Sequence, residues 1–125
     1  MNTTDRTATA RRFLELAVAG KAREGSAQLV TSGFRHHNVY FAGDGASLFK
    51  AMDDNAAQFP GKTLEVMQVV QDGDKVVTLC KVQHAPDQPT YAVTHFFRFE
   101  DGKIAELWDM GQEIPKESPN RYGAF

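Results

Sequence analysis

From Thr63 onward the chain is written in a period of two, and nothing else in it constrains the fold as strongly. Leu64, Val66, Gln68 and Val70 alternate with Glu65, Met67, Val69 and Gln71, the pattern of a strand that shows its side chains to two faces in turn. Asp72-Gly73-Asp74 then reads as a hairpin turn and residues 75–83 as the next strand. A loop over 85–89 leads into a strand over 90–99. Asp101-Gly102 turns the chain into a last strand over 103–112. Four strands joined by short connections make an antiparallel meander.

Before Thr63 the spacing is helical. Phe13, Leu14, Ala17 and Val18 form one apolar stripe that Gly20 ends, and a second short helix is predicted from 21 or 22 to 30. The run FRHHNVYF over 34–41 suggests a short extended segment. Ser47, Leu48, Phe49, Met52, Ala56 and Phe59 predict a helix over 46–58, stopped by Pro60-Gly61. Helices gathered ahead of strands predict an α+β fold, with the helices on one face of the sheet.

The 125 residues suit a single domain over 1–125. A chain of this size buries roughly two thirds of its unfolded surface. With 14 Lys+Arg against 16 Asp+Glu the formal charge is -2, which argues against nucleic acid as a partner. One cysteine, Cys80, leaves no internal disulfide, and beside Leu79 and Lys81 it reads as an inert buried thiol. No run approaches about 18 apolar residues, so no membrane span is expected and the expected location is cytoplasmic.

The last hairpin carries the densest polar chemistry, and its register decides what can meet. A two-residue loop at Asp101-Gly102 would pair Phe99 with Ile104 and set His95 and Asp109 on opposite faces. A three-residue loop, Glu100-Asp101-Gly102, pairs Phe99 with Lys103, His95 with Leu107 and Val93 with Asp109. The longer loop is favoured, because it puts Gly102 where a positive φ is needed. Val93, His95, Phe97, Leu107 and Asp109 then share one face. Thr94, Phe96, Arg98, Ile104, Glu106, Trp108 and Met110 share the other, and Phe96, Trp108 and Met110 there predict a homodimer through the outer sheet face.

An imidazole and a carboxylate on an apolar wall form a general acid/base pair, so His95 and Asp109 are the catalytic candidates. The alternative is a rim carboxylate and a core histidine satisfied by backbone. His36 and His37 are adjacent, so at most one faces inward, and His37 with Asn38 is a candidate pair of ligand contacts. His84 opens a loop and reads as solvated. The four histidines lack a spaced carboxylate motif, so no metal is expected. Tyr40 and Tyr91 are either phenolic donors or packing residues. Phe13, Phe34, Phe49, Phe59 and Phe97 are core candidates that an apolar pocket would share.

The order of these elements, FRHHN after two helices and FRFEDGKIAELWDMGQEIP closing the sheet, resembles the SnoaL-like family of the nuclear transport factor 2-like superfamily. The resemblance covers nearly the whole chain. It implies a cone-shaped roll of about three N-terminal helices on a curved, mainly antiparallel sheet of four to six strands. It implies that Asp109 matches the acid/base carboxylate of the polyketide cyclases. His95 matches a penultimate-strand position that is His in some of them, and His37-Asn38 matches a Gln-His-Asn motif. Leu107 stands in a frequent Glu-His-Trp-Asp run, and Leu79 and Lys81 stand where one branch often has His. Together with Phe34, Phe59 and Phe97 these positions are expected to contact substrate. The superfamily hosts cyclases, isomerases, dehydratases, epoxide hydrolases and binding proteins on one fold. The function expected is cofactor-independent cyclisation, isomerisation or dehydration of a small apolar carbonyl or polyketide-like compound. The alternatives are a non-catalytic module that binds a hydrophobic ligand and a dimerisation scaffold with a filled pocket.

Overall fold

The computed structural model describes residues 3–125. Helix α1 (Thr3–Val18) is followed by a 3-10 turn (Ser26–Leu29), strand β1 (Val30–His36) and helix α2 (Gly45–Gln58). The meander comes next: β2 (Thr63–Asp72), β3 (Lys75–Gln83), β4 (Thr90–Glu100) and β5 (Lys103–Glu113). The five strands lie in the order β1-β5-β4-β3-β2, so the meander is intact and β1 adds to its far edge. That added pair is parallel, which makes the sheet mixed.

The helix expected over 22–30 shrinks to the single 3-10 turn, leaving two α-helices rather than about three. Gly25 brings this segment close against α1: a Cβ there would lie 2.8 Å from the Leu16 side chain. The backbone amides of Ala22 and Arg23 donate to the Asp53 carboxylate of α2, which ties this segment down without a helix. Gly20, at φ 75, ends α1 as its position suggested. Asp44 caps α2 by accepting from the Ser47 amide at 2.8 Å. The extended segment begins at Val30, ahead of its expected start, because pairing with β5 supplies the hydrogen bonds that FRHHNVYF alone does not.

Two bulges curl the sheet. In β2 the register shifts between Val66 and Gln68, so Val66 pairs with Cys80 and Val69 with Thr78 on the inner face. Strict alternation put Val69 on the opposite face from Leu64 and Val66; the extra residue Met67 brings it back to join them against the core. In β5 the loop is the two-residue one. Asp101 and Gly102 take φ 50 and 81, Phe99 pairs with Ile104, and the register then shifts so that Arg98 meets Glu106 and His95 meets Asp109. Both central residues therefore need positive φ, which Asp tolerates and Gly prefers. Ala105 is the inserted residue. Ile104, expected on the outer face, is fully buried in the core.

Phe13 is the hub of that core. Its ring centroid lies 5.6 Å from that of Phe97, 6.1 Å from Phe49 and 6.5 Å from Phe34. The outer face carries an ion cluster instead. The buried Glu106 carboxylate accepts from Arg35 Nε at 2.9 Å and from Arg98 Nε at 3.2 Å, and it lies 2.6 Å from His37 Nε2. These donors hold it well below the usual carboxylate range, at about 2.

A folded-state pKa below the unfolded value of 4.5 gives stability that is present above about pH 4.5 and lost as pH falls toward 2. Glu106→Gln is expected to cost about 1–2 kcal/mol at pH 7. In urea unfolding across pH 2.5–7, the gap between variant and wild type should close below about pH 4.5. An undiminished gap at pH 3 would exclude this role for the carboxylate.

Candidate active site

The inner face of the sheet is divided along its length. At the end near the β4–β5 turn, Phe97, Ile104 and Leu107 are sealed beneath Phe13. At the other end, α1, α2 and the sheet diverge around a cavity of about 440 Å³. Its walls are mainly apolar, with Leu14 and Val18 from α1, Leu48 and Met52 from α2, and Leu64, Val82 and Val93 from the sheet. Its polar residues are Asn38, Tyr40, Asn55, Lys62, His84, Tyr91, His95 and Asp109.

His95 and Asp109 are direct cross-strand partners, one step from the diagonal relation expected. No hydrogen bond joins them. Asp109 instead accepts from Asn38 Nδ2 at 3.1 Å. That contact follows from the topology: the parallel register sets His36 beside Leu107, so two residues further on Asn38 stands beside Asp109. The amide is fixed from both ends, since Asn38 Oδ1 accepts from the Tyr40 amide at 3.1 Å. With the oxygen so occupied, the NH2 group faces the carboxylate. The Asn38 backbone is held in turn by His36, whose Nδ1 accepts from the Asn38 amide at 3.1 Å. His36 is thus the inward member of the histidine pair, and it is buried.

His95 is also buried, and its Nδ1 has no hydrogen-bond partner. Burial pushes the imidazole down from 6.5 to about 4, against the opposing pull of the Asp109 charge and with the help of the Lys62 charge. Desolvation therefore outweighs the carboxylate, and the ring is neutral at pH 7.

The remaining candidates separate by position. His37 faces outward: its ring stacks on Trp108 at 4.9 Å and meets Glu106, so it lies outside this cavity and lines instead a neighbouring depression that it shares with Asn38, Trp108 and Asp109. Leu79 and Lys81 are also outward. Inner residues of β3 are Val76, Thr78, Cys80 and Val82, and alternation sends Leu79 and Lys81 the other way. Phe34, Phe97 and Leu107 are core, below the cavity floor. Phe59 stands behind the wall, 4.8 Å from the ring of His84. Of the residues singled out, Asp109, His95 and Asn38 converge on the cavity, and Tyr40 and Tyr91 line it as well. Lys62, Asn55 and His84 were missed. A lysine after Pro60-Gly61 and a histidine opening a loop read as solvated, and only the assembled tertiary structure places them on the cavity. Among the described residues, no group of three or more His, Cys, Asp or Glu side chains converges as a metal site. No helix among them is long and apolar enough to cross a membrane.

A curled α+β sheet with helices closing one face and an apolar, polar-tipped cavity at the open end defines a small-molecule-sized site. The SnoaL-like domain family matches residues 10–107, and the chain belongs to it. No curated protein matches the chain in sequence. Among solved structures it is similar to a candidate polyketide cyclase from Bacillus cereus, with 23% identity and a TM-score of 0.74 over 86% of this chain and 74% of that one. It is similar to a candidate ketosteroid isomerase from Kribbella flavida, with 20% identity and a TM-score of 0.72 over 95% and 86%. AclR of Streptomyces galilaeus, a candidate hydroxylase, shares 22% identity and a TM-score of 0.70 over 89% and 91%. These likenesses establish the nuclear transport factor 2-like fold; three different activities on it leave the reaction to be argued from the site.

In an NMR titration the His95 ring is expected to titrate near pH 4, and Asp109→Asn should move it lower, because the anion that favours the imidazolium is gone. A midpoint near 6.5 in the wild type would mean the ring is solvated.

Proposed function

We propose that the protein is a cofactor-independent enzyme that moves a proton next to the carbonyl of a small apolar substrate, in the course of a cyclisation, isomerisation or dehydration. One observation carries this reading: the Asp109 carboxylate stands on an apolar cavity wall, oriented by a single neutral amide and free of any cation within 4 Å among the described residues. A carboxylate so placed keeps lone pairs available to a ligand. Asp109 removes a proton from the carbon α to the carbonyl, and the C–H electron pair moves onto the carbonyl oxygen as an enolate. Neutral His95 is the hydrogen-bond donor for that oxygen. An orphan buried lone pair costs less than an orphan buried N–H, so the unpartnered Nδ1 carries no proton and Nε2–H is the donor. The enolate then attacks a second carbonyl, is reprotonated elsewhere, or expels a β-leaving group, and Asp109 returns the proton in each case.

Against the filled-pocket alternative, Phe13, Phe34, Phe49 and Phe97 pack on one another in the core and Phe59 lies against His84, and none of the five lines the cavity. The binding-module alternative differs in one measurable respect. With 2-tetralone as probe in deuterated water, the wild type is expected to accelerate exchange of the α-protons. Asp109→Asn should lose on the order of 10²-fold or more of that rate while keeping its fold. Binding of the ketone without exchange, or equal exchange by both proteins, would defeat the catalytic assignment.

We also propose that the outer sheet face joins two copies. Phe96 and Met110 are exposed there, and Val70 continues the patch across the sheet, directly opposite Val77. Leu79 belongs to this same face. Trp108 is half covered by His37, so the apolar surface is interrupted by the Glu106 cluster but continuous on the β2–β4 side. A second copy would shield it from water. Sedimentation at micromolar concentration should give a dimer that Phe96→Glu dissociates; a monomeric wild type would end the proposal.

A further inference from the structure

The cavity holds two opposite charges that do not meet. Asp109 lies on β5 and Lys62 just before β2, at opposite edges of the meander, and both line the same space. Among the described residues no carboxylate lies within 4 Å of the Lys62 ammonium. Arg12, Arg23, Arg35, Lys50, Lys75 and Arg98, by contrast, each have one. The ammonium spends one of its three donors on Asn55 Oδ1, at 2.7 Å. Its backbone is anchored as well, the amide donating to Phe59 O at 3.0 Å. Burial lowers its proton affinity, the expected response of a cation that lacks a counterion.

The other polar groups on the cavity do not supply that counterion. His84 sits close enough to feel the Lys62 charge, and burial and that charge together lower the proton affinity of its ring, which carries no negative charge to offer. Tyr91 turns its hydroxyl to Glu113 at 3.4 Å, on the exposed side. His95 is neutral, Tyr40 is largely solvent-exposed, and the Asp109 carboxylate is more than 4 Å away. Between the two charges the wall is apolar, built by Met52, Leu64 and Val82.

We propose that Lys62, steadied by Asn55, is the carboxylate-binding residue of this cavity, so that the substrate is an apolar molecule with an acid group at one end and the reacting carbon at the other. This rests on reading the cavity as the substrate site. The carboxylate takes the two unused ammonium donors, and the apolar body crosses the Met52–Val82 wall. The repulsion of Asp109 for a second anion fixes which end enters first. Lys62 thereby selects and orients the substrate without taking part in proton transfer.

The test compares 2-naphthoate with the neutral isostere 2-naphthamide by calorimetry, with the His95 ring resonance reporting occupancy of the cavity. In the wild type, naphthoate is expected to bind at least about tenfold more tightly than naphthamide. Lys62→Met should erase that preference while leaving naphthamide binding unchanged, and Lys62→Arg should retain most of it. Equal binding of the two probes, or a preference that survives in Lys62→Met, would overturn the carboxylate site while leaving the cavity reading intact. If neither probe binds or shifts His95, the cavity reading falls and the carboxylate site falls with it.

Discussion

The directions in which both carboxylates of β5 point depend on one unpaired residue in that strand. Ala105 has no partner on β4, and the strand changes phase across it. Before it, Ile104 points into the core beside Phe99. After it, Glu106 points out and Leu107 in. Without the extra residue, the two-residue turn would continue to pair Phe99 with Ile104 and set Asp109 on the face opposite His95. The cavity would then have no carboxylate, and Glu106 would lie in the hydrocarbon of the core. A bulge also bends its strand.

The second determinant is the parallel pairing of β1 with β5. A strand added at that edge ends beside the middle of β5, so the residues that follow it cross over Asp109. His36, Asn38 and Tyr40 then form a chain of backbone and side-chain hydrogen bonds that presents one NH2 group to one carboxylate. The site is therefore assembled by three segments far apart in sequence, each held by its own secondary structure.

The sequence makes the two faces of β4 legible, along with the partition of His95, Phe97, Leu107 and Asp109 onto one of them. Alternation is a local signal, and those residues lie on one side of both bulges. It fails at Val69 and Ile104 because a bulge leaves no mark in composition; packing decides it, when Val66 and Val69 or Phe99 and Ile104 must be buried together. The turn failed for a similar reason. Asp101-Gly102 accommodates one positive φ or two, and only the pairing of the strands beyond it selects between them. Phe97, Leu107 and Phe34 carry the same periodicity as Val93 and His95, so pattern alone assigns them all to one wall. What separates core from cavity is distance along the strand from Phe13, a property of the assembled layers. Lys62 is invisible in the sequence for the opposite reason: its place on the cavity comes from the turn after α2, where Asn55 Oδ1 accepts from its ammonium.

Two carboxylates three positions apart on β5 show how the fold allots its chemistry. Glu106 is grasped by two guanidinium groups and lies against a histidine, and these hold it near a pKa of about 2. All its lone pairs are engaged, so it is a structural anion and a poor base. Asp109 has one neutral amide donor and no cation within 4 Å among the described residues, next to an imidazole that burial keeps uncharged. A salt bridge to Asp109 would stabilise the carboxylate and lower its affinity for a proton, which a base cannot afford. The half-buried cation on the cavity, Lys62, is set at its far side, where its field favours an anionic ligand without tying up the base. The sheet thus separates the two uses of negative charge by facing them in opposite directions, and the bulge at Ala105 is what sets those directions.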